Sequence, residues 1–252
     1  NHGGMGGPTA NTTDIHVADP YAWKLQLAVP FAARYNILPS NLGLINYAQS
    51  TRADSLNPLG ADITLSNTGC QNAANEFVYY GGSRRYQGST GHYQTLSNAS
   101  TALAFGTEDF TVEFWAKFDT RGGSGFGAVL STSTSSQNAG SWIIGFDNSD
   151  NFGWCYNVPG FNWANSGKTQ NTFREWHHYA FSRESGNHKF FIDGIQVARF
   201  TDGTDYNFDT YTSAGNNPKI GQRWVNSDNY SLQGELQDLR VYKGVSKYNT
   251  SS

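Results

Sequence analysis

Hydrophobic and polar residues alternate at period two through many short stretches of this chain, and turn-forming residues separate those stretches. Such alternation puts one residue set on each face of a β-sheet. The clearest case is Phe110–Phe118, where Phe110, Val112, Phe114, Ala116 and Phe118 face one way and Thr111, Glu113, Trp115 and Lys117 the other. Trp176–Phe200 reads as an antiparallel meander: His177, Tyr179 and Phe181 alternate with His178, Ala180 and Ser182, and Glu184–Asn187 supply a polar turn. Asp193-Gly194 then makes a second tight turn before Ile195, Val197 and Phe200. Further strands are predicted at Trp23–Phe31 (with Trp23, Leu25, Leu27 and Val29 sharing a face), Ile63–Leu65, Asn75–Tyr80, Ala128–Ser131, Ser141–Phe146, Phe152–Asn157, Lys219–Trp224 and Leu232–Tyr242. Arg84–Tyr86 and His92–Leu96 are expected to form the two sides of a hairpin across Gly88–Gly91, and residues 159–172 a loop carrying Phe161 and Trp163.

Strands at this spacing predict an all-β sandwich or barrel. No sustained 3.6-residue apolar period predicts a helix. Residues 1–21 are Gly-, Pro-, Asn- and Thr-rich and read as an extended N-terminal arm or linker, 22–248 as one domain, and 249–252 as a tail. The 252 residues include 28 Gly and only 15% charged side chains, well below the usual ~25%. A formal net charge of −3 offers no basic field, so nucleic acid is not an expected partner. No apolar run approaches the ~18 residues of a membrane-spanning helix, and membrane insertion is not expected. The two cysteines, Cys70 and Cys155, show no zinc spacing and are expected as reduced, buried thiols.

Candidate chemistry is sparse. Glu113 stands alone among aromatics, Glu235 and Asp238 lack a third carboxylate at alternating positions, and no serine sits in a nucleophile elbow, so no catalytic residue is assigned. His177 and His178 are adjacent on a strand and point to opposite faces, which keeps them from sharing a metal. Asp147, Asp150 and Asn151 in one turn, and Asp228 with Asn229 in another, offer hard oxygen ligands suited to calcium. Glycan binding needs aromatic platforms flanked by polar groups. Trp163 and Tyr230 lie in polar segments, with Trp224, Asn162, Asn165, Arg223 and Asn226 nearby in sequence; the sugar-binding candidates are Trp163, Asn162, Trp224 and Tyr230.

Phe105–Trp115 (FGTEDFTVEFW), Glu175–Phe181 (EWHHYAF) with Phe191–Gly194 (FIDG), and Gly234–Tyr242 (GELQDLRVY) together resemble, in order and spacing, the laminin G-like, concanavalin A-like domains. The resemblance spans about residues 22–248. It implies an all-β, two-sheet antiparallel jelly-roll sandwich preceded by the extended arm. Calcium sites in this fold add Asp238, at an acidic position of the family, to Asp147 and Asp150; no cofactor is required, and a structural calcium is the one candidate. Tyr79–Ser83 (YYGGS) and Lys243–Tyr248 (KGVSKY) resemble the versions found in structural proteins of tailed, particularly marine, bacteriophages. That implies a non-enzymatic virion surface module, homo-oligomeric, attaching to host glycans or assembling with other virion structural proteins, and localised to the virion. The alternatives are a secreted or cell-surface bacterial lectin, hence extracellular, and a glycoside hydrolase of the same fold.

Overall fold

A computed structural model of the protein describes residues 19–31, 63–79, 81–120, 126–132, 140–147, 149–157, 161–169, 174–207, 217–223 and 231–248. Most of the expected arm, residues 34–60 and the 249–252 tail lie outside the described residues. The described chain is two antiparallel sheets packed face to face. Sheet A has the spatial order β13 (Ile195–Thr201), β12 (Asn187–Ile192), β11 (His177–Glu184), β6 (Phe110–Thr120), β15 (Gln233–Lys243), β4 (Ser83–Gln87) and β3 (Gln71–Ala73), with β1 (Leu25–Val29) also paired to β15. Sheet B runs β10 (Phe161–Thr169), β9 (Asn151–Asn157), β8 (Trp142–Phe146), β7 (Gly127–Ser131), β14 (Lys219–Ile220), β5 (Tyr93–Ser97) and β2 (Thr64–Thr68). One short α-helix, α1 (Ser100–Leu103), and a 3₁₀ turn at Ala22–Lys24 are present among the described residues. This is the jelly-roll sandwich that the resemblance implies.

The core forms where the apolar faces of the two sheets meet. Phe110, Val112, Phe114, Ala116 and Phe118 all point inward and are buried, as their alternation predicts. Aromatic rings fill the gap: Trp142 stacks on Trp154 at 4.8 Å, Trp154 on Phe181 at 4.5 Å and Phe105 on Phe110 at 4.2 Å. Both meander turns use residue pairs at positive φ, Ser185-Gly186 and Asp193-Gly194, the backbone that closes a two-residue hairpin with the right twist.

Five sequence expectations change. Of the strand expected at Lys219–Trp224, only Lys219–Ile220 is strand among the described residues, and Gly221 follows it at φ 86°. Arg84–Tyr86 and His92–Leu96 are strands but not a hairpin. β4 pairs with β3 and β15 in sheet A, whereas β5 pairs with β2 and β14 in sheet B. The connection crosses the sandwich, and the two strands meet only through the interior, where the Tyr86 hydroxyl donates to Gln94 Oε1 at 2.5 Å. Asn75–Tyr79 is not a strand; the Val78 and Tyr79 amides donate to the Gln237 side chain at 2.9 and 2.7 Å instead of to a ladder. Residues 161–169 are not loop but edge strand β10, paired with β9 from Phe161↔Asn157 to Asn165↔Gly153. In β1, a register shift between Leu25 and Leu27 turns Leu25 away from the main core. Leu27 and Val29 stay in that core, and Leu25 packs with Ala28 and Tyr242 on the outside of sheet A, while Trp23 is exposed in a 3₁₀ turn.

That outer surface is itself largely covered. Lys247 Nζ donates to Glu113 Oε1 at 2.7 Å and the Tyr248 hydroxyl donates to Glu113 Oε2. Asp19 Oδ2 accepts from the Tyr242 hydroxyl at 2.6 Å and from Lys247 at 3.4 Å. Glu113 is therefore only 5% exposed although it faces away from the core.

Candidate functional site

The outer face of sheet B carries one of the exposed aromatics, Trp163. Trp154 points into the core, so Cys155 beside it points out, and Trp163 of β10 lies directly opposite Cys155. Cys155, Ile143, Ala128 and Phe126 form a small buried apolar cluster on this outer face. Two glycines shape it. Gly145 and Gly153 pair across β8 and β9, and a Cβ on Gly145 would stand 2.1 Å from the Gly127 carbonyl oxygen and 2.9 Å from the Phe126 ring. Phe126 thus lies on a floor without side chains, and Trp163 packs against it edge-on with centroids 4.6 Å apart. The Trp163 ring is held in place yet remains 46% exposed.

Asn165, two residues along β10, shares that face. Its Nδ2 donates to Asp147 Oδ2 at 2.9 Å and its Oδ1 accepts from the Gly167 amide at 3.0 Å. Asp147 caps the β8–β9 turn: Oδ1 accepts from the amides of Ser149 at 2.8 Å and Asn151 at 3.0 Å, and Oδ2 from Asn151 Nδ2 at 3.2 Å. An indole platform is therefore flanked by a carboxylate–carboxamide pair locked by its own hydrogen bonds. Such an arrangement can take the apolar face of a ring on the indole and hydroxyl groups on the polar pair.

The other sequence candidates fall elsewhere. Asn162 is paired with Tyr156, which packs on the main core, so it points away from the Trp163 face. Trp224 and Tyr230 lie outside the described residues. Asp150 sits in the same turn as Asp147, at φ 62°. Asp238 belongs to sheet A, at a bulge in β15 with φ 53°, where its carboxylate accepts from Arg240 Nε at 2.9 Å and burial raises its pKa. Asp238 is thus on a different sheet from Asp147 and Asp150. Among the described residues, no group of three or more His, Cys, Asp or Glu converges as a metal-binding set.

The carboxylates weighed for hydrolysis are tied to cations, Glu113 to Lys247 and Glu235 Oε1 to Arg85 Nη1 at 2.6 Å. Cys70 and Cys155 are both free and buried, and burial pushes each thiol up to about 12. Phe126, Gly145 and Gly153, which sequence reasoning did not single out, complete the site of Trp163 and Asn165. The signal for them was a glycine in each of two neighbouring strands, which marks a close approach from above the sheet.

A profile of the concanavalin A-like lectin/glucanases superfamily matches residues 87–247. No curated protein matches the chain. Among solved structures, domain 4 of AbnA, a GH43 extracellular arabinanase from Geobacillus stearothermophilus in complex with arabinotriose, is 15% identical with a TM-score of 0.57 over 88% of this chain and 93% of that one. The binding domain of Paraclostridial Mosquitocidal Protein 1 is 14% identical with a TM-score of 0.59, over 90% of this chain and 50% of that one. A structure of botulinum neurotoxin type C, whose cell entry is dependent upon interaction with two ganglioside molecules, is 14% identical with a TM-score of 0.57, over 89% and 49%. The chain spans about half the length of these two toxin structures. Identities this low speak for the fold alone, but the profile covers well over half of the chain: it belongs to the concanavalin A-like lectin/glucanases superfamily.

Proposed function

We propose that this protein is a non-catalytic glycan-binding module whose ligand face is the outer side of sheet B around Trp163. The observation that carries the reading is the half-exposed indole, fixed on Phe126 and flanked by Asn165 and Asp147. A rigid aromatic of this kind loses little conformational freedom on binding and offers a large apolar surface. The arabinotriose held by the arabinanase domain and the gangliosides named for the type C toxin support the same class of ligand.

The setting we propose is the surface of a bacteriophage particle, where the module meets host glycans and neighbouring virion proteins. The support is the resemblance of Tyr79–Ser83 and Lys243–Tyr248 to phage structural proteins. Residues of both segments lie on the outside of sheet A, opposite the proposed glycan face: Tyr79 lies edge-on to Trp115 at 5.7 Å, and Lys247 and Tyr248 close over Glu113.

A glycan array with the wild-type chain and Trp163→Ala tests the first reading. The variant is expected to lose binding by about tenfold or more while keeping the wild-type thermal midpoint. Absence of binding by the wild type to any glycan overturns it. Antibody labelling of purified phage particles tests the second reading, and a module recovered only as a secreted or cell-surface protein favours the bacterial lectin.

A further inference from the structure

The interior of the sandwich holds a charge that no carboxylate among the described residues balances. Arg84 leaves β4 on the face shared with Leu236, its partner in β15, and so points between the sheets. It is 3% exposed, and its Nε and Nη2 have no hydrogen-bond partner. Among the described residues no carboxylate pairs with it. Its electrostatic neighbours are the Tyr86 hydroxyl and the Cys70 thiol, and burial keeps both protonated at neutral pH. Tyr86 stands two residues along the same face of β4, its ring pressed against Gly221, where a Cβ would meet it at 2.2 Å. That ring aims the hydroxyl at Gln94 Oε1, which leaves Gln94 Nε2, also buried, as another donor without an acceptor. Buried donors with a positive charge and no acceptor are the complement of an anion.

We propose that Arg84, with Gln94 Nε2 as second donor, forms an interior binding site for a small monovalent anion of chloride size. One guanidinium calls for one negative charge. Confinement between the sheets favours a halide over a bulky or divalent oxyanion. The site lies inside the sandwich, not on the outer face of sheet B, and does not depend on the glycan-binding reading.

Thermal unfolding of the full chain in sodium chloride, sodium bromide and sodium gluconate, at one ionic strength and pH, tests it. Chloride and bromide are expected to raise Tm saturably over gluconate, by about 3–6 °C. Arg84→Met is expected to abolish that halide dependence. Equal Tm values in the three salts, or an undiminished halide dependence in Arg84→Met, overturn the proposal. Wild-type crystals soaked in sodium bromide supply a measurement free of any variant. An anomalous peak against the Arg84 guanidinium is expected, and bromide found solely on the surface overturns it.

Discussion

His188 shows how much a single side chain can be set by its surroundings. It is fully buried on β12, stacked on Phe200 at 4.5 Å, with Nε2 3.2 Å from the Tyr206 hydroxyl. Burial first, and then the Arg183 guanidinium, push its pKa down from 6.5 to about 4, while Asp202 and the Gly186 backbone pull the other way. The folded protein therefore refuses a proton that the unfolded chain accepts between those values, and stability falls as pH drops from about 6.5 to about 4. The full shift corresponds to a loss on the order of 3 kcal/mol. His188→Phe keeps the stack and removes the titration. Its unfolding free energy is expected to change less than that of the wild type over this window, as denaturant titrations at pH 7 and pH 4.5 would show. Parallel losses in both proteins would mean that acid acts elsewhere. The burial of His188 could not be read from Asn187–Ile192, where it stands between two polar residues, because it depends on Tyr206 arriving from a distant loop.

The elements were mostly legible where each strand has one apolar face. β6, β8, β9, β11 and β12 match their alternation because both sides of the core needed the same period, whereas the bulge at Asp238 flips it in β15 and puts both Leu236 and Leu239 in the core. Two misread segments are those where polar side chains stand in for backbone partners or where an edge is polar; two others turn on strand pairing and a register shift, which alternation does not encode. Gln237 satisfies the Val78 and Tyr79 amides, so that stretch has no need of a neighbouring strand. β10 shows alternating exposure, but its Asn, Ser and Gly content resembles turn chemistry. The candidate site was legible in Trp163, in Asn165 close to it in sequence and in Asp147, an expected calcium ligand; its floor was not, since Phe126, Gly145 and Gly153 are brought together by pairing of β8, β9 and β10. Gly145 is the element-level test. An added methyl would strike the Gly127 carbonyl and the Phe126 ring. Gly145→Ala is expected to cost about 1–3 kcal/mol and to disturb the Trp163 emission spectrum. An unchanged spectrum with unchanged stability would show that Phe126 does not rest on that floor.

At the scale of the whole molecule, the two sheets divide the labour. The outside of sheet B carries the Trp163 ring, whereas part of the outside of sheet A, around Glu113 and Tyr242, is covered by the segments at Asp19–Tyr21 and Ser246–Tyr248. Those segments touch, through Asp19, Tyr242 and Lys247. The antiparallel pairing of β1 with β15 begins at the same place, with Leu25 opposite Tyr242. The consequence is mechanical. Tension between Asp19 and Tyr248 would load the Asp19–Lys247 contact first and then peel β1 from β15 one rung at a time, starting at Leu25. Rungs loaded in series give way singly, whereas strands pulled from opposite ends share the load. A module pulled at these points should open at low force by losing β1 first, with the aromatic core intact. Optical-trap extension from handles at residues 19 and 248 should show that early step; a single high-force rupture of the entire sandwich would contradict it. Were the protein pulled instead through the Trp163 face of sheet B, the load would not fall first on the β1–β15 pairing.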